Sequence, residues 1–69
     1  MQLSKEEKAC WFIAMDTLYL AGPFYTKSQA EDYLTNCKDS YGFVTIKIEG
    51  EHYAYHEDEV YVVRDLNWG

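Results

Sequence analysis

The chain is poor in nearly everything that marks a linker, a secreted scaffold, a metal site or a membrane span. One proline and four glycines in 69 residues leave no flexible linker or low-complexity tract. Two cysteines, Cys10 and Cys37, are too few for a disulfide framework and have no C-x-x-C partner. They read as reduced, core-facing thiols, because free cysteine commonly behaves as a small buried hydrophobe. No apolar run approaches the roughly 18 residues of a membrane span. No apolar stretch ending in a small-residue cleavage site follows the polar start. A cytoplasmic chain without a membrane segment is therefore expected.

Positive charge is scarce as well. Six lysines and arginines face twelve carboxylates, a net charge of −6. The imbalance is uneven. Residues 39–69 hold seven acids, Asp39, Glu49, Glu51, Glu57, Asp58, Glu59 and Asp65, against Lys47 and Arg64. A negative field of this kind repels phosphate backbones and anionic lipid. Direct nucleic-acid and membrane-surface binding are thus disfavoured, and a protein partner with a basic surface is favoured.

What the chain does have is apolar and aromatic bulk. Hydrophobic residues make up 48% and aromatics 17%, enough for one compact core at a length where only about 60% of the unfolded surface is buried on folding. Residues 1–69 are expected to form a single domain.

Local patterns then assign elements. Ser4 and Glu7 have capping-box spacing and predict a helical turn from Lys5. Trp11, Ala14, Met15 and Leu18 fit a helical face, whereas Trp11, Ile13 and Met15 alternate as a strand does. The content of Trp, Phe and Ile favours the strand, with Asp16-Thr17 turning a hairpin into residues 18–21. Gly22-Pro23-Phe24 follows. Glycine gives backbone freedom, proline removes a hydrogen-bond donor and should end strand pairing, and Phe24 can fold under the next element. Thr26 with Gln29 predicts a capped helix, with Tyr25 and Ala30 placed as a hydrophobic staple. Ala30, Tyr33, Leu34 and Cys37 form its apolar stripe, while Glu31, Asp32 and Lys38 point outward; the helix should fade before Gly42. Residues 43–49 alternate with Val44, Ile46 and Ile48 on one face. Gly50-Glu51 is a turn, residues 52–56 alternate again with Tyr53 and Tyr55 together, and residues 60–64 form a further β-branched run. The expected fold is α+β: one main helix packed on an antiparallel sheet of about four strands, in the order β-hairpin, helix, β-meander.

One resemblance attaches to these residues. Trp11 in a hairpin, then Gly22-Pro23-Phe24, a helix carrying Tyr33, and Tyr41-Gly42-Phe43 beyond it resemble the GYF domain over about half the chain. The resemblance implies a small adaptor that binds proline-rich peptides on an aromatic surface, with Trp11, Phe24 and Tyr33 as the contact residues.

Other constellations weigh against catalysis. His52 and His56 share a strand face but lie about 13 Å apart, too far to hold one ion together. No metal and no cofactor is expected. His56 beside Glu57, Asp58 and Glu59 has no accompanying nucleophile or glycine-rich cradle, so the acid triplet reads as a solvated turn and the chain as a non-enzyme.

The seven tyrosines are too many for so small a core, and tyrosine offers a large rigid face with a polar tip suited to interfaces. The candidate partner-binding set is Glu49, Glu51, Tyr53, Tyr55, Glu57, Asp58, Glu59 and Asp65. Tyr53 and Tyr55 either stand outward among these carboxylates or pack under the helix; alternation alone does not choose. The leading expectation is a small acidic inhibitor that covers a basic surface of a larger protein. If that surface normally binds nucleic acid, the carboxylates stand in for phosphates. By composition alone the chain is similar to phage-encoded modulators of host or defence proteins. Homodimerisation through an exposed edge at residues 60–63 is a further expectation.

Overall fold

The computed structural model describes residues 9–68. The helical turn expected from Lys5 lies outside the described residues. Five strands and one α-helix follow in the order β1 (Trp11–Met15), β2 (Leu18–Phe24), α1 (Lys27–Cys37), β3 (Phe43–Ile48), β4 (Glu51–His56) and β5 (Tyr61–Arg64), with a 3-10 turn at Glu57–Glu59. The α+β class holds. The single sheet of about four strands does not: five strands form two antiparallel sheets, a three-stranded one ordered β2-β1-β5 and the two-stranded β3-β4 hairpin. The expected terminal meander is broken because β5 does not continue from β4. It crosses to pair with β1, placing Trp11 opposite Arg64 and Ile13 opposite Val62.

The first hairpin forms as expected, with Met15 paired to Leu18 across Asp16-Thr17. Asp16 sits at φ +53°, a left-handed conformation that aspartate tolerates better than most residues. The second hairpin pairs Ile48 with Glu51. Its turn is therefore Glu49-Gly50, one residue earlier than the expected Gly50-Glu51. Both of its central residues have positive φ, as a twist-matched two-residue hairpin requires.

Strand β2 is longer than expected, because pairing runs through the Gly-Pro-Phe segment. Trp11 pairs with Phe24 and Ile13 with Ala21, so Phe12 faces two residues, Gly22 and Pro23, on β2. This is a β-bulge, one of the few places where a sheet accepts proline. The Gly22-Pro23 peptide is cis and Gly22 has φ +119°. A Cβ at Gly22 would lie 2.7 Å from the Trp11 carbonyl oxygen and 2.8 Å from the Phe12 ring. A second irregularity between Ile13 and Ala14 accommodates Leu20, which is buried in the core.

Helix α1 starts at the predicted cap. The Gln29 N–H donates to Thr26 Oγ1 at 3.0 Å, and Gln29 Oε1 accepts from the Tyr25 N–H at 2.9 Å. The side chain thus reaches one residue further back than an ordinary capping box. Tyr25 stays 54% exposed, so the expected staple is not a buried contact. The apolar stripe packs as its spacing dictates: Ala30 is fully buried, with Tyr33, Leu34 and Cys37 against the core of Ile13, Leu20, Val44, Ile46 and Val60. Helix α1 touches strands of both sheets and so binds the hairpin β3-β4 to the three-stranded sheet.

The other face of the three-stranded sheet is also covered. Phe12 and Ala14 are buried. The Phe12 ring stacks on Tyr19 with centroids 4.2 Å apart, and Trp68 meets its edge at 4.9 Å. The segment after β5 is fastened there by Asp65, whose N–H donates to the Cys10 carbonyl at 2.8 Å. Strand β1 is consequently buried on both faces, which explains its unbroken apolar run.

Candidate functional site

The register of the β3-β4 hairpin decides the facing of the tyrosines. Tyr53 pairs with Ile46 and Tyr55 with Val44, and directly opposed residues project to the same face. Both tyrosines therefore lie on the core side. Tyr55 packs against the core, while Tyr53, nearer the free end, remains 46% exposed at its rim. His52 and Ala54 are exposed on the opposite face with Thr45 and Lys47.

The eight candidate partner-binding residues do not form one patch. Glu49, Glu51 and Tyr53 stand at the free end of the hairpin, and Glu57, Asp58 and Glu59 at its other end. The six-residue strand β4 separates Glu51 from Glu57 by about 20 Å at roughly 3.3 Å per residue. Asp65 belongs to neither group. Its Oδ2 accepts from the Tyr19 hydroxyl at 2.7 Å and its Oδ1 from the Asn67 N–H at 3.0 Å, so it fastens the segment that carries Trp68. The carboxylate beside the Tyr19 hydroxyl holds that phenol above its ordinary pKa, chiefly through this hydrogen bond.

The acids are weakly compensated. Among the described residues, the only Lys or Arg ion pair is Lys38 Nζ to Glu57 Oε1 at 3.5 Å. His56 Nδ1 lies 3.4 Å from Asp58 Oδ2 and accepts the Asp58 N–H at 3.2 Å, capping the 3-10 turn. Arg64 is drawn instead to the Trp11 ring, 5.5 Å from its centroid. Glu49, Glu51 and Glu59 are exposed without a lysine or arginine partner among the described residues. At separations beyond one Debye length the two acid groups act as separate points of attraction.

The aromatic residues of the alternative site do come together. Trp11 and Phe24 are opposed across β1 and β2. The Phe24 and Tyr33 rings lie 5.4 Å apart. All three are half-buried; Phe24 and Tyr33 form an aromatic strip where β2 meets α1, and Trp11 stands opposite Phe24 on β1. Burial raises the pKa of Tyr33, with a smaller contribution from Cys37.

One feature of the surface has no counterpart in the sequence pattern. A cavity of about 270 Å³ lies between α1 and β5, lined by Glu31, Leu34, Thr35, Lys38, Val44, Glu57, Val60 and Val62. Glu31, Leu34 and Thr35 recur at helical spacing and, with Lys38 just beyond the helix end, form the flank of α1 away from Tyr33. The only legible signal was this second stripe, which reads as solvated because three of its four members are polar. No family model, curated protein or solved structure matches the chain.

Proposed function

We propose that this chain is a non-enzymatic protein-binding module that captures a basic surface on a larger protein. The exposed carboxylates at the two ends of strand β4 make the contact, with Tyr53 contributing the apolar part. The observation that carries this reading is the uncompensated charge: carboxylates at 49, 51 and 59 stand exposed with no lysine or arginine within ion-pair distance among the described residues. A charged surface left unpaired within a chain of net charge −6 costs self-repulsion, which a basic partner removes. Two acid groups about 20 Å apart match a broad basic face better than a single pocket. Where that face binds nucleic acid, the module blocks it competitively and acts as an inhibitor.

The test is a tagged pull-down from native lysate, washed at low and at high salt, with wild type and with Glu57, Asp58 and Glu59 changed together to serine. The expected result is one stoichiometric partner, released by salt, displaced by duplex DNA if it is a nucleic-acid-binding protein, and lost in the triple variant. A partner that survives high salt and the triple variant would overturn the reading.

The aromatic strip of Phe24 and Tyr33, with Trp11 opposite Phe24, favours a second reading, a GYF-like adaptor for proline-rich peptides. Stacking of proline on aromatic rings is insensitive to salt. Displacement of a salt-resistant partner by a proline-rich peptide distinguishes it from charge capture.

A further inference from the structure

We infer that the cavity between α1 and β5 is a docking channel for an extended segment of the partner, one that turns apolar side chains and a lysine or arginine toward the cavity. The inference rests on the protein-binding reading and specifies where a strand of the partner is held. Three independent features converge there.

The first is a free sheet edge. Among the described residues β5 pairs only with β1, so its outer N–H and C=O groups are open to an added strand. The two edges of this sheet are not equivalent. Strand β2 carries two irregularities and Pro23, devices that prevent further pairing. Strand β5, Tyr61–Arg64, is short but runs in regular register without bulge or proline, and its one charged residue, Arg64, lies over the Trp11 ring.

The second is the floor beside that edge. Val60 and Val62 of β5, Leu34 of α1 and Val44 of β3 line the cavity. Alternate side chains of an added strand point to one face, here toward this apolar floor.

The third is the sign of the charge. Glu31 and Glu57 stand on the walls, and the only cation, Lys38, is 3.5 Å from Glu57. The net charge of the walls is therefore negative. A second copy of this chain, itself at −6, is a poorer occupant than a segment whose cavity-facing side chains include a lysine or arginine among apolar ones.

The experiment uses the full chain, labelled with 15N and titrated with a blocked octapeptide that alternates threonine with valine, lysine, valine and valine, so that the apolar residues and the lysine share one face. The expected result is saturable shifts centred on Leu34, Val44 and residues 60–63, with slowed amide exchange in β5. Methylating the peptide's amide nitrogens along one edge should abolish binding, because the added strand loses its donors. Glu31→Lys, an exposed helix position, should weaken binding about tenfold, equivalent to roughly 1.4 kcal/mol, and improve binding of the counterpart with glutamate in place of that lysine. Shifts confined to Glu49, Glu51 and their neighbours, or binding that survives methylation, would overturn the channel. Self-association lost on changing Val63 to lysine would overturn it in favour of a dimer. If the peptide fails while salt-sensitive capture persists, the channel assignment falls alone. If capture fails as well, the protein-binding reading falls with it.

Discussion

At the scale of single residues, Gly22 and Tyr19 show how local chemistry sets stability. Gly22 combines φ +119° with a backbone approach that leaves no space for a Cβ. Gly22→Ala must therefore shift β1 or abandon the bulge, at a cost of about 2 kcal/mol or more. Urea unfolding of the variant checks this; an unchanged midpoint would show that the bulge relaxes freely. Tyr19 supplies a pH dependence. Its folded pKa is raised by the hydrogen bond to Asp65 above an unfolded value of about 10. The folded state then binds the proton more tightly than the unfolded state. The stabilisation is complete below about pH 10 and is lost as pH rises through the raised folded value. Unfolding measured from about pH 8 to about pH 11 should show this alkaline decline, and Tyr19→Phe should make it shallower. Parallel curves for the two proteins would exclude the Tyr19–Asp65 bond as its source. Tyr33, raised by burial, contributes in the same direction and is unaffected by the substitution.

At the scale of elements, the fold depends on what covers each face of β1. Helix α1 and the β3-β4 hairpin cover one face, and a short irregular segment ending in Trp68 covers the other. That segment has little regular structure to hold it. Its fastening is the Asp65 N–H on Cys10, the two side-chain bonds of Asp65 and the edge contact of Trp68 on Phe12. Trp68→Ala should cost about 1–2 kcal/mol, from the aromatic contact and the newly exposed Phe12 face. It should also bring Tyr19 and Phe12 signals into exchange in NMR spectra while leaving α1 intact. Loss of α1 signals at the same time would mean that the two faces do not fold independently. Helix α1 has a different dependence. Its cap and stripe were legible in Thr26, Gln29 and the spacing of Ala30, Tyr33, Leu34 and Cys37, because both are properties of a few consecutive turns. The split of the sheet was not legible. Whether β5 pairs with β4 or β1 depends on a return over some fifty residues, and the acid triplet at Glu57–Glu59 marks a break without naming the next partner. The same reason hid the channel: Glu31 and Lys38 look solvated along the helix until Val60 and Val62 are placed opposite them.

At the scale of the whole molecule, charge dominates behaviour. A net of −6 on 69 residues destabilises the compact state by self-repulsion, and that repulsion is screened by salt. The melting temperature should therefore rise by a few degrees between about 10 mM and about 150 mM sodium chloride, as scanning calorimetry would show. A flat response would mean that the unpaired carboxylates are too far apart to repel. The same ionic strength should weaken capture of a basic partner, so stability and binding are expected to move in opposite directions with salt.

The amino-acid sequence by itself determined the α+β class, the acidic character, the capped helix and the placing of Tyr53 with Tyr55 on one face, and it favoured the first hairpin at Asp16-Thr17 over a helix without deciding it. Each follows from forces acting over a few residues: side-chain alternation, capping, turn geometry and summed charge. Only the tertiary structure decided that those tyrosines face the core, that Asp65 is a fastening for Trp68 and not part of an acidic patch, and that an open edge and an apolar channel meet beside Val62. These depend on which distant strands pair and in what register. Register couples every side chain of a strand to one face or the other, and no local pattern specifies the neighbour that sets it.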